Sequence, residues 1–189
     1  METAAAILDF LDVHVIFSLL PLLVWLLLIE RIFKNRFRTK QVIALVRWMV
    51  IGYTVVSTLF FIAGMIVSPD EFAFTHRATG RYAFAYWLML ICATAFPLTL
   101  LHRKLGRKPF YILLVVFLMK IGFYFERFVI ITTSLHRDYA PGYFDGEIPF
   151  IALVIVSFLL RGFVLAVVLL AIFELLARMK SARHPELKN

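Results

Sequence analysis

With a single cysteine, Cys92, among 189 residues, the sequence excludes an internal disulfide framework and any cysteine-based zinc or iron–sulfur site. Cys92 falls between Ile91 and Ala93 in an apolar run and reads as a packing residue. No GxGxxG, phosphate-binding loop, HExxH or nucleophile elbow occurs, so no soluble catalytic centre is visible. Linkers and low-complexity stretches are missing as well. The five histidines are His14, His76, His102, His136 and His184, all at run ends, in loops or in the tail. A bilayer haem b needs histidines facing each other across helices within the membrane, so haem is not expected. A basic leader is also lacking. The first residues carry Glu2, Asp9 and Asp12 where a signal peptide begins basic, so the first apolar run is expected to be retained.

What the sequence has in excess is apolar surface. Hydrophobic residues make up 62% and aromatics 16%, and the mean hydropathy is +0.90. A soluble domain is about 45–50% apolar, and a chain of this size cannot hide the surplus in its own core. A bilayer resolves the problem. The expected fold is an all-α membrane bundle of about five transmembrane helices forming one domain over residues 1–189. The spans are placed at about 13–33, 42–67, 82–101, 110–135 and 148–177, each near the roughly 20 apolar residues a crossing needs. Pro69-Asp70, Gly106 and Pro141-Gly142 mark turns between them.

Charge sets the expected orientation. Thirteen Lys and Arg lie on one side: Arg31, Lys34, Arg36, Arg38 and Lys40, then Arg103, Lys104, Arg107 and Lys108, then Arg178, Lys180, Arg183 and Lys188. The other side holds three (Arg77, Arg81 and Arg137) and eight acids: Glu2, Asp9, Asp12, Asp70, Glu71, Asp138, Asp145 and Glu147. The positive-inside rule then puts the N-terminus outside and the C-terminus in the cytoplasm. The net charge of +8 reads as topology signal and lipid contact, not nucleic-acid binding. Trp25 and Trp48 are expected at the cytoplasmic span ends. Tyr82, Tyr86 and Trp87, with Tyr139, Tyr143 and Phe144, are expected at the outer face.

Five charged residues fall more than a helical turn inside the spans: Arg47, Lys120, Glu126, Arg127 and Arg161. Each costs at least ~2.5–3.5 kcal/mol at the bilayer centre unless paired, hydrated or used. Arg47 is close enough to the cytoplasmic end to snorkel. Lys120, Tyr124, Arg127 and Ile131 share a helix face, whereas Glu126 points about 100° away. Arg161 is the expected partner of Glu126. Two readings remain open. One is an ion-pair network that fixes how the last two spans dock. The other is a polar track for protons or a quinone headgroup, continued by His136, which titrates near neutrality at the outer interface.

Two stretches resemble a known family. Phe74-Thr75-His76-Arg77-Ala78-Thr79-Gly80-Arg81-Tyr82 with Ala85-Tyr86-Trp87 is one. The run from Gly122-Phe123-Tyr124-Phe125-Glu126-Arg127 through Thr132-Thr133-Ser134-Leu135-His136-Arg137-Asp138-Tyr139 is the other. Both resemble the NrfD/PsrC-type membrane subunits, most closely the pair in alternative complex III, a bacterial quinol:electron-acceptor oxidoreductase. The resemblance implies an anchor in a quinone-linked respiratory or photosynthetic complex of the bacterial inner membrane. It implies no covalent or metal-ligated cofactor in this chain, quinone or quinol as the ligand, and iron–sulfur and haem-carrying subunits on the outer face. It also implies a proton path through buried polar residues. Glu126, Arg127, His136, Arg137 and Asp138 match the family motif, with Lys120 and Arg161 as further candidates for proton passage or quinone contact. Family members contain two four-helix bundles. The matching stretches belong to the second, and the quinone pocket is usually placed in the first, which has no counterpart here. Lys120 stands where a small amide is expected. A purely structural or assembly subunit is the alternative, and a small transporter a third.

Overall fold

The computed structural model describes residues 2–34, 36–69, 74–137 and 144–183. Among them the regular structure is entirely helical. The helices are α1 (Glu2–Leu11), α2 (Phe17–Phe33), α3 (Thr39–Val67), α4 (Phe74–Thr79), α5 (Ala83–Ala93), α6 (Ala95–Leu98), α7 (Pro109–Met119), α8 (Ile121–Arg137) and α9 (Phe144–Arg183). A π-helical segment, Asp12–Ile16, joins α1 to α2 without a break, and a 3₁₀ turn, Thr99–Leu101, follows α6.

Local chemistry explains several boundaries. α2 ends at Lys34, whose φ of 42° is the left-handed conformation that closes a helix. α7 starts with Pro109, which lacks the N–H that a first helical turn leaves unpaired anyway. α7 and α8 are separated by a turn at Lys120.

Among the described residues four helices are long and apolar enough to cross a membrane: Ala6–Phe33, Thr39–Val67, Ala83–Leu101 and Ala152–Met179. No more than 39% of any of these spans is buried within the chain. Their outer faces are therefore apolar surface that water would not tolerate and lipid or protein must cover. The expected span 110–135 is not one helix. The turn at Lys120 divides it into α7, only 11 residues long, and α8.

α2 is the centre of the bundle. Leu19, Leu22, Leu23 and Leu26 recur at helical spacing and are almost fully buried. Val42, Val46 and Val50 of α3, Ile112, Val115 and Val116 of α7, and Ala166 and Leu170 of α9 close around them. Cys92 is buried, in keeping with a packing role.

α2 and α9 run parallel, because their contacts ascend together. Phe17 meets Phe158, Pro21 meets Gly162, and Trp25 meets Phe163. A Cβ at position 162 would lie 2.5 Å from Pro21 Cβ and 2.7 Å from the Leu22 nitrogen, so only glycine permits this approach. Small residues at a crossing are how apolar helices pack closely where lipid competes.

Trp25 differs from its sequence expectation. It lies eight residues inside the Phe33 end of α2, and its indole N–H donates to the Leu159 carbonyl at 2.9 Å. It joins two helices instead of marking an interface. Trp48 is 57% exposed, and the Arg47 guanidinium lies 5.1 Å from its ring centroid.

Candidate functional site

Three polar side chains from distant parts of the chain meet inside the apolar bundle. Asp12 opens the π segment, Tyr53 is at the middle of α3, and Lys120 occupies the turn between α7 and α8. The Lys120 ammonium donates to Asp12 Oδ1 in an ion pair. The Tyr53 hydroxyl donates to the same oxygen at 2.6 Å. Lys120 is only 13% exposed and Asp12 33%. Desolvating either charge alone would be expensive. Mutual attraction and the tyrosine hydrogen bond offset that cost.

Both charges sit at irregularities in their helices. A π segment widens one turn and is common at functional positions. The turn at Lys120 is held by its own N–H to Phe117 O at 3.1 Å and by the Tyr124 N–H to Lys120 O at 3.1 Å. Beside the cluster, Leu8, Leu11, Val15 and Ile16 face Met49, Gly52, Tyr53 and Val56 across an apolar groove of about 250 Å³.

Of the other sequence candidates, Glu126, Arg127 and Arg161 do not join this cluster. Glu126 and Arg127 are exposed on α8, and the Arg127 guanidinium lies 5.2 Å from the centroid of the Phe123 ring one turn back. Arg161 is exposed on α9. Among the described residues the one ion pair is Asp12–Lys120. The expected pair between Glu126 and Arg161 is not formed. His136 and Arg137 belong to the last turn of α8. Asp138 lies outside the described residues, as do Asp70, Glu71, Tyr139, Tyr143, His184 and Lys188.

On the face shared by Lys120 and Tyr124, the tyrosine is held among aromatic rings. The Tyr124 ring stacks on Phe117 with centroids 5.4 Å apart and tilts against Phe17 at 6.3 Å. Its buried hydroxyl has no hydrogen-bond partner among the described residues. Arg47, expected to snorkel, also packs against the chain: its Nη1 donates to the Gly106 carbonyl at 3.4 Å. A Cβ at Gly106 would come within 3.0 Å of Arg47 Cδ and 2.4 Å of the Leu100 carbonyl oxygen. The glycine lets α3 and the loop before α7 close on each other.

Asp12 and Tyr53 are not among the sequence candidates, since a first span at 13–33 leaves Asp12 on the outer side, just ahead of it. The signal available was an acid bordering a long apolar run, with a lone lysine in another run that needed a counter-ion. Among the described residues no group of three or more His, Cys, Asp or Glu is placed to hold a metal. No family model, curated protein or solved structure matches this chain.

Proposed function

We propose that this chain is a membrane subunit of a quinone-linked bacterial electron-transfer complex, inactive alone, that acts chiefly as scaffold in the inner membrane. In this reading iron–sulfur and haem-carrying subunits sit on the outer face. Quinone contact or proton passage, where it involves this chain, falls at the outer half of α8, near Glu126, Arg127 and His136.

One observation carries the subunit reading. Glu126 and Arg127 are exposed on α8, within the very stretch that resembles the NrfD/PsrC-type subunits. Ionisable side chains in a membrane segment face protein or water, because lipid solvates them poorly. None of the described side chains of α8 belongs to the core. A further chain covering this helix would satisfy both facts.

The reading includes five crossings, with the N-terminus outside and the C-terminus in the cytoplasm. The parallel packing of α2 and α9 supports it. Two parallel spans require an odd number of passes between them. α3 and the Ala83–Leu101 segment supply two, and α7 with α8 would supply the third. The same arrangement puts the basic residues 31–40 and 178–183 on one side, as the positive-inside rule asks.

The deciding experiment is isolation of the native complex, with identification of its co-purifying subunits and of any lipid-extractable quinone. Recovery of the chain without redox subunits would overturn the proposal.

A second reading is a purely structural subunit, and the Asp12–Tyr53–Lys120 cluster favours it. Lys120 is already satisfied by Asp12, and the Tyr124 hydroxyl beyond it has no hydrogen-bond partner among the described residues. Under this reading Glu126→Gln and His136→Ala leave turnover and proton release of the intact complex unchanged.

A further inference from the structure

Arg161 is an exposed charge on α9 with no ion-pair partner among the described residues. Glu147 and Glu174 bracket it on α9, 14 residues before it and 13 after. At 1.5 Å per residue these are about 21 Å and 20 Å away. The hydrocarbon layer is about 30 Å thick, so Arg161 falls near its middle. The packing agrees. Gly162, its neighbour, rests on Pro21 and Leu22, near the midpoint of the Ala6–Phe33 span. From that depth a lipid phosphate is about 15 Å away in either direction, farther than an arginine side chain extends.

The surroundings of Arg161 are apolar. Val154, Ile155, Leu160, Val164 and Val168 are all exposed on α9. No ion pair or hydrogen bond joins Arg161 to any described residue. Arginine stays charged in proteins, and no described residue offsets the cost of placing it here.

We infer that the exposed face of α9 around Arg161 docks a membrane-spanning helix of another chain, one that carries a carboxylate at mid-membrane depth. An Asp or Glu is the only protein side chain that neutralises a guanidinium, and it does so through two parallel hydrogen bonds. Single-sided burial of Arg161 against an apolar helix would leave the charge unpaired, the costliest arrangement. The inference rests on the subunit reading and specifies the chemistry of one contact within it.

The test uses the native complex in its own membrane. A photoreactive phenylalanine analogue is placed at Leu160 or Val164, both exposed beside Arg161, and the cross-linked peptide is sequenced. The expected product is an apolar segment of a different chain containing Asp or Glu. Arg161→Leu should lower its yield at least about tenfold, the effect of 1.4 kcal/mol, while Arg161→Lys retains most of it. Cross-links to lipid alone, to an apolar segment without a carboxylate, or to a second copy of this chain overturn the inference, as does unchanged yield in Arg161→Leu. The same preparation is assayed for co-purifying redox subunits. If they remain while the cross-link fails, only this contact is wrong; if they are missing, the subunit reading itself falls.

Discussion

Asp12 and Lys120, separated by 108 positions in sequence, form an ion pair that ties the start of the first long helix to the turn between α7 and α8. Removing one partner leaves the other charged in an apolar setting, which costs ~3–5 kcal/mol for a buried pair. Lys120→Met is therefore expected to lower the thermal midpoint of the detergent-solubilised protein strongly. The double variant Asp12→Leu, Lys120→Met should recover most of that loss. A double variant no more stable than Lys120→Met would contradict the pairing.

Tyr53→Phe deletes one hydrogen bond to Asp12 and preserves the ring. The expected loss is about 0.5–1.5 kcal/mol, because the ion pair still satisfies the carboxylate. In a double-mutant cycle with Asp12→Asn the two changes should be non-additive, since both act on one oxygen. Strict additivity in the melting data would separate Tyr53 from the cluster.

Gly162→Ala probes the closest helix approach. The new methyl would need space now held by Pro21 and the Leu22 nitrogen, so α2 and α9 must move apart. Overpacking of this kind costs about 1–3 kcal/mol. Engineered cysteines at Phe17 and Phe158, whose rings lie 4.8 Å apart in the native pairing, should cross-link less efficiently once the alanine is present. An equal cross-linking yield would show that the crossing is looser than described.

Trp25→Phe retains the ring contact with Phe163 and loses only the N–H to Leu159 O. Interhelical hydrogen bonds in membrane bundles average about 0.6 kcal/mol, so a small fall in unfolding free energy is expected. A change near 3 kcal/mol would mean that the indole supports more than this one bond.

Topology reporters test the five crossings directly. Fusions within 103–108 and after Asn189 are expected to be active only as cytoplasmic fusions, and a fusion near Arg77 only as an outer one. A cytoplasmic signal near Arg77 would overturn the arrangement.

Much of the helical layout was legible in the sequence, because an apolar run bounded by charge has few other readings. The spans beginning near residues 42, 82 and 148 correspond to α3, to α5 with α6, and to α9. Two features were not legible. The first run was cut at Val13, since an aspartate at the edge of an apolar stretch looks like loop. The helix continues through Asp12 because Lys120 and Tyr53 supply partners, and both are remote in sequence. The division at Lys120 was hidden because the apolar run continues on both sides of it; Gly122, two residues on, is the one local signal of a break. The expected Glu126–Arg161 pair rests on depth and on the angular position of Glu126 along its own helix. Depth does not determine which way two helices face, and both side chains point away from the bundle core.

The π segment Asp12–Ile16 has a consequence for how the chain tolerates length changes. A π turn holds one residue more than an α turn can accommodate, so the apolar repeat shifts by one residue across it. Deleting a single residue there would let one uninterrupted α-helix form, with α1 still facing the groove it shares with α3, because the widened turn had absorbed the extra residue. Straightening the segment with all its residues kept would instead rotate everything before it by about 100° relative to α2. The bulge therefore lets the chain carry one residue more than a regular helix would while α1 keeps its neighbours.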